Sequence, residues 1–189
     1  MHVDLHPGAR AVLLVEGESD KVAVETVARR RGRDLAAERV DVVSMGGATN
    51  IGHHLSALAN RGVRLGGLYD AREQHFVRRG LERVGLRREG SPEPLAAAGF
   101  FACVEDLEDE FMRVLGPDGY LAMIERAGEL PAFRILQQQP AQRDRALADQ
   151  LRRFAGTKGG RKARYGRLFA ESVPLDAVPP PLDELLAWV

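Results

Sequence analysis

The nine residues Val12-Leu13-Leu14-Val15-Glu16-Gly17-Glu18-Ser19-Asp20 leave the chain few ways to fold. A short apolar run broken by a glycine reads as a buried strand. Ser19 is a good N-cap for the apolar-periodic segment behind it. The pattern predicts a strand over 11–15 and a helix over 19–31, with Gly32 as C-cap. Glu16 then falls at the carboxyl end of the strand and Asp20 in the first helical turn. In open parallel sheets that edge is where ligands collect. Two carboxylates there are oxygen ligands suited to a hard divalent cation such as Mg²⁺. The same two also suit solvation and a helix dipole, so the rest of the chain has to discriminate.

The unit repeats. A strand over 40–44 ends in Met45-Gly46-Gly47-Ala48-Thr49-Asn50, with Asn50 capping a helix over 51–60. Gly46 and Gly47 let backbone approach a ligand and offer N–H groups to phosphate. A strand over 63–69 ends at Asp70, a third carboxylate on the same rim. Glu73 is a fourth candidate, and an arginine-rich helix follows over 74–84. After a polar loop over 85–94 comes a short strand over 99–104 and then Glu105-Asp106-Leu107-Glu108-Asp109-Glu110, which opens a helix reaching 115. Five carboxylates in six positions exceed what capping needs, and their repulsion costs stability unless a cation offsets it. Cys103 reads as a buried, inert thiol. His53 and His54, adjacent on a helix, point about 100° apart and do not share an ion.

Beyond Gly116 the alternation stops and only helices are expected, over 120–127, 132–139, 141–154, 162–171 and 182–189. A basic turn rich in glycine lies over 156–162. Leu185, Leu186 and Trp188 are expected to dock the last helix. The division is therefore an α/β core over 1–115 and a helical extension over 116–189 packed on it.

Charge sharpens this picture. With 27 basic and 27 acidic residues the net charge is zero, which argues against holding nucleic acid by bulk charge. The charges are uneven, however. Acid concentrates at 105–110 and base at 78–88 and 152–167, as a metal site facing a polyanion requires; solvated helix faces are the plain alternative. No apolar run approaches the roughly 20 residues of a membrane span. A single cysteine allows no internal disulfide, and a cytoplasmic address with no membrane partner is expected.

Glu16 after strand one, Gly46-Gly47 after strand two and Asp70 after strand three resemble the Toprim domain of topoisomerases, primases and several nucleases. The wording Val15-Glu16-Gly17-Glu18-Ser19-Asp20 with Met45-Gly46-Gly47-Ala48-Thr49-Asn50-Ile51 is most similar to the Toprim half of overcoming-lysogenization-defect (OLD) family nucleases. Asp106-Leu107-Glu108-Asp109 and Lys162 ahead of Tyr165 extend the resemblance to about residues 10–171.

The resemblance implies a Rossmann-like, four-stranded, mainly parallel sheet flanked by helices. It also implies hydrolysis of nucleic-acid phosphodiesters, DNA ahead of RNA, with one or two Mg²⁺ or Mn²⁺ ions. Carried over by position, the metal ligands are Glu16, Asp20, Asp70, Asp106 and Glu108, with Glu73 as a displaced candidate. Glu16 and Lys162 are the catalytic residues, Lys162 as the transition-state lysine. Gly46, Gly47, Arg72, Arg161 and Arg164 are expected to meet the nucleic acid.

Two departures stand out. Arg72 replaces the second acid of the family's Asp-x-Asp, and no Gly-x-x-x-x-Gly-Lys-Ser/Thr phosphate loop occurs in the sequence. The implied ATPase half is then a separate partner chain, or the unit stands alone. Two other readings stay open: a nucleotidyl- or phosphoryl-transfer enzyme on the same scaffold, and a degenerate module that binds nucleic acid or a partner ATPase without catalysis. A plain α/β domain would require Glu16, Asp70 and Glu108 to lie apart.

Overall fold

The computed structural model describes residues 3–156 and 161–189, the latter without the side chains of 161–163. Four parallel strands, β1 (Ala11–Val15), β2 (Val40–Ser44), β3 (Arg64–Asp70) and β4 (Phe100–Cys103), form one sheet in the order β2-β1-β3-β4. Every pairing is parallel, not merely most. Central β1 is buried along its whole length, which is why it carries no polar residue. Its side chains alternate between two cores. Leu13 and Val15 belong to one cluster, Val12 and Leu14 to the other.

The two faces are covered unequally. Helices α2 (Ile51–Leu58) and α3 (Gln74–Arg83) cover the Val12/Leu14 face through Leu55, Leu58, Val77 and Leu81. The opposite face carries α1 (Glu18–Arg30), α4 (Leu107–Arg126), α7 (Arg161–Ser172) and α8 (Pro180–Trp188), joined in one cluster through Val24, Val27, Phe111, Tyr120, Phe169, Leu182 and Leu185. Helices α5 (Leu130–Gln138) and α6 (Leu147–Ala155) extend that cluster through Phe133 and Phe154, whose rings meet edge to face.

The helices after residue 116 thus build a layer of the sheet's own core. Arg30 of α1 donates to the carbonyls of Ala170 and Val173 at the end of α7, at 2.5 and 2.7 Å. The Trp188 indole N–H donates to the Leu65 carbonyl of β3. Among the described residues no helix is long and apolar enough to cross a membrane.

Several local expectations change. Helix α1 is capped at Gly17, not Ser19: Gly17 is extended, and Asp20 three residues on accepts its N–H. Asn50 holds the N-cap position of α2, as expected, but its side chain makes no capping bond there. It ends a 3-10 turn (Ala48–Asn50), and its amide donates to the carbonyls of Met45 and Gly46. The helices expected to end at 115 and to start at 120 are one element, α4, broken inside by Gly116 at φ 65° ahead of Pro117. The helix expected from 141 starts at Leu147, because Arg143 folds back onto the Gln138 carbonyl and holds the intervening residues in turns.

Candidate metal centre

Three strand ends and one helix N-terminus converge at the carboxyl edge of the sheet. Glu16 leaves β1 and is held by its backbone: its carbonyl accepts the Gly47 N–H at 3.1 Å. Gly47 sits at φ 126°, a conformation open to glycine alone among common residues. The Gly46-Gly47 loop therefore fixes the exit of β1, and the Gly47 N–H is used in doing so. The Asp20 carboxylate turns back over the same point, its Oδ2 accepting from the Gly17 N–H at 2.9 Å.

Asp70 ends β3, and the chain then makes a 3-10 turn (Ala71–Glu73). With three residues per turn, positions i and i+3 eclipse. Glu73 is thus returned beside Asp70 while Arg72 is set to one side. One carboxylate oxygen each from Glu16, Asp70 and Glu73 lie within 4.8 Å of one another. Among the described residues the buried Glu73 Oε2 has no hydrogen-bond partner. The Asp70 Oδ2 accepts from Arg72 Nη2 at 3.1 Å.

After β4, Asp106 is the N-cap of α4 and accepts the Asp109 N–H at 2.8 Å. A cavity of about 360 Å³ gathers Glu16, Asp20, Asp70, Asp106 and Glu108, with Arg72 the only Lys or Arg among the described residues lining it. Asp20, Asp106 and Glu108 line it without joining the tight trio. Arg164 lies elsewhere: it donates to Glu129 and to the Ala127 carbonyl, tying α7 to the end of α4. The side chains of Arg161 and Lys162 fall outside the described residues, though both positions are in the first turn of α7.

The electrostatics follow from crowding. Burial pushes the Asp20 carboxyl up to about 6, and the charges of Glu16, Asp106 and Asp70 add to it against the Gly17 bond. Burial also raises Asp70, opposed by its bond from Arg72. Glu73 is raised by burial and by Asp70. A set of carboxylates this reluctant to ionise together is short of positive charge. The donors are carboxylate oxygens, which fit Mg²⁺ or Mn²⁺ rather than a thiolate-bound metal. Cys103 lines the wall, but burial pushes its thiol up and leaves it protonated.

Three features of the site are absent from the sequence reading. One is the Arg72–Asp70 ion pair. Another is the wall that α7 supplies through Gly166 and Phe169. The third is an adjoining cavity of about 400 Å³ between Arg72 and Arg152. A glycine inside an otherwise helical segment was the one visible signal, since a Cβ at Gly166 would overlap the Ser19 carbonyl oxygen.

Residues 9–71 match the family profile described as overcoming lysogenization defect protein-like, TOPRIM domain. Among solved structures, the chain is similar to the C-terminal region of the Xanthomonas campestris pv. campestris OLD protein. In the platinum-phased form the TM-score is 0.72 at 23% identity, covering 96% of this chain and 92% of that one. In the iodine-phased form it is 0.65 at 26% identity, covering 96% and 94%. The C-terminal region of the Burkholderia pseudomallei OLD protein gives 0.67 at 21% identity, covering 95% and 96%. No curated protein matches the chain.

Proposed function

We propose, from the match of residues 9–71 to the OLD-like TOPRIM domain profile, that the chain is a divalent-metal-dependent nuclease hydrolysing phosphodiester bonds, DNA ahead of RNA. The observation that carries the reading is the trio of Glu16, Asp70 and Glu73 within 4.8 Å, with a buried oxygen on Glu73 that has no hydrogen-bond partner among the described residues. Glu73 stands in for the acid that Arg72 displaces, through the three-residue spacing of the 3-10 turn.

Glu16, Asp70 and Glu73 would hold the Mg²⁺ or Mn²⁺. Asp20 and Glu108, with Asp106 assisting, orient water across the cavity and serve a second ion if one binds. The chemistry a cation would supply when bound there is activation of a water and neutralisation of charge at the leaving oxygen. Lys162 stabilises charge on the phosphate. Its backbone position is one turn before Gly166, which lines the cavity. Arg72 and Arg161 contact the nucleic-acid backbone, the Gly46-Gly47 loop borders it, and Arg164 anchors α7. An ATPase, implied by the family resemblance, is the proposed protein partner.

The second reading, a module that binds without cutting, is favoured by one observation: Arg72 already occupies an oxygen of Asp70. Calorimetric titration with Mn²⁺ followed by cleavage of plasmid DNA separates the two. The nuclease reading expects wild type to bind Mn²⁺ and to cut. It expects Glu16→Gln to weaken both by about 100-fold, the upper end of what loss of an outer-shell partner costs, with no loss of thermal stability. Mn²⁺ binding without cleavage by wild type selects the binding module. Absence of Mn²⁺ binding overturns the nuclease reading and leaves the binding module.

A further inference from the structure

The ion pair between Arg72 and Asp70 has no part in the reaction as proposed, and its geometry is unusual for a structural bridge. Asp70 is 7% exposed, whereas the Arg72 side chain is 69% exposed and reaches Asp70 through one nitrogen, Nη2 to Oδ2 at 3.1 Å. A single bond from a long, exposed side chain is easily broken. The acceptor is also a member of the trio of Glu16, Asp70 and Glu73. Arg72 lines both the acidic cavity and the adjoining one that Arg152 borders, so its guanidinium stands at their junction.

A divalent cation on the Asp70 carboxylate repels the guanidinium and draws away the charge it is bonded to, which weakens a bond that is already single and exposed. Released, the guanidinium remains at the mouth of the site. There its planar fork of donors suits the oxygens of a phosphate.

We propose that Arg72 is a metal-released phosphate ligand: it neutralises Asp70 in the metal-free protein and transfers to a phosphodiester of the nucleic acid once a divalent cation takes Asp70. This rests on the metal-centre reading above. Its consequence is coupling. Metal raises affinity for the nucleic-acid backbone, and by linkage the backbone raises affinity for metal, through one side chain that cannot serve both acceptors.

The test uses calorimetry with Mn²⁺ alone on wild type, Arg72→Gln and Asp70→Asn. Anisotropy with a labelled DNA duplex is then measured with and without Ca²⁺. Arg72→Gln is expected to bind Mn²⁺ about five- to tenfold tighter than wild type. It is also expected to show a Ca²⁺ enhancement of duplex binding smaller than that of wild type by a similar factor. Mn²⁺ affinity that is unchanged or weaker in Arg72→Gln, beside a lost affinity in Asp70→Asn, overturns the transfer and leaves the metal centre standing. Mn²⁺ binding by Asp70→Asn equal to that of wild type, or none by wild type, removes the metal centre and the transfer with it.

Discussion

Asp109 and Asp70 are two buried aspartates on neighbouring elements, and they have opposite fates. Burial acts to raise the Asp109 carboxyl, but the bonds it accepts from Arg152 and Arg113 more than offset that and hold it below the ordinary range. Glu110 beside it accepts the Val104 N–H at 2.7 Å. Asp70 receives one bond from one exposed arginine, sits among other carboxylates and is raised. Asp20, whose described bond comes from the Gly17 backbone, is pushed up to about 6. Burial alone therefore does not separate an acid that builds the fold from one available to a cation. The supply of positive charge does. Within one turn of helix at 105–110, Asp106 caps and Asp109 and Glu110 are tied down, while Asp106 and Glu108 line the cavity.

That contrast can be broken most forcefully at Asp109. Asp109→Asn is expected to destabilise the protein by about 2 kcal/mol in urea denaturation, below the 3–5 kcal/mol of a fully buried pair because both arginines are about half exposed. Mn²⁺ affinity should stay unchanged. A stable variant with weakened Mn²⁺ binding would move Asp109 into the metal centre and erase the distinction. Gly166→Ala tests the place where packing meets the rim. The added methyl overlaps the Ser19 carbonyl oxygen, which is expected to cost about 1–2 kcal/mol as overpacking. Because Ser19 adjoins Asp20, Mn²⁺ affinity should fall with stability. A loss of stability alone would show that α7 covers the site without shaping it.

The smallest effect is expected at Glu38, an acid far from the rim. Its bond from Arg33 holds the carboxyl below the usual 4.5, and Arg33 also donates to the carbonyls of Leu186 and Val189 at the end of α8. A lowered folded-state value means stability that is fully present above pH 4.5 and lost as pH falls through the lower value. Glu38→Gln should therefore cost less than about 1 kcal/mol near neutrality, and the gap to wild type should close in acid. A gap that widens in acid would reverse the sign and rank Glu38 with the rim.

Much of the rim was legible from local pattern. A run such as Ala11 to Val15 can be little else than a buried strand, so Glu16 had to leave its carboxyl end; the same holds for Asp70 after β3 and Asp106 after β4. Glu73 was visible as an acid, but its return beside Asp70 needed the 3-10 turn, which no propensity in Ala71 or Arg72 announces. The start of α1 was misread because the Asp20 side chain takes the Gly17 N–H, and at Asn50 the position was right but the side chain's bonds go to the Met45 and Gly46 carbonyls.

The sequence by itself determined the alternation of strands and helices and the acids at the strand ends, because those depend on residues within one or two turns of each other. Tertiary structure decided which acids were left short of a counter-charge. Arg152 lies 43 positions from the Asp109 it neutralises, and Gly166 brings α7 against Ser19 from the far end of the chain. Charge balance in a folded interior is set by distance in space, and separation along the chain carries almost no information about it.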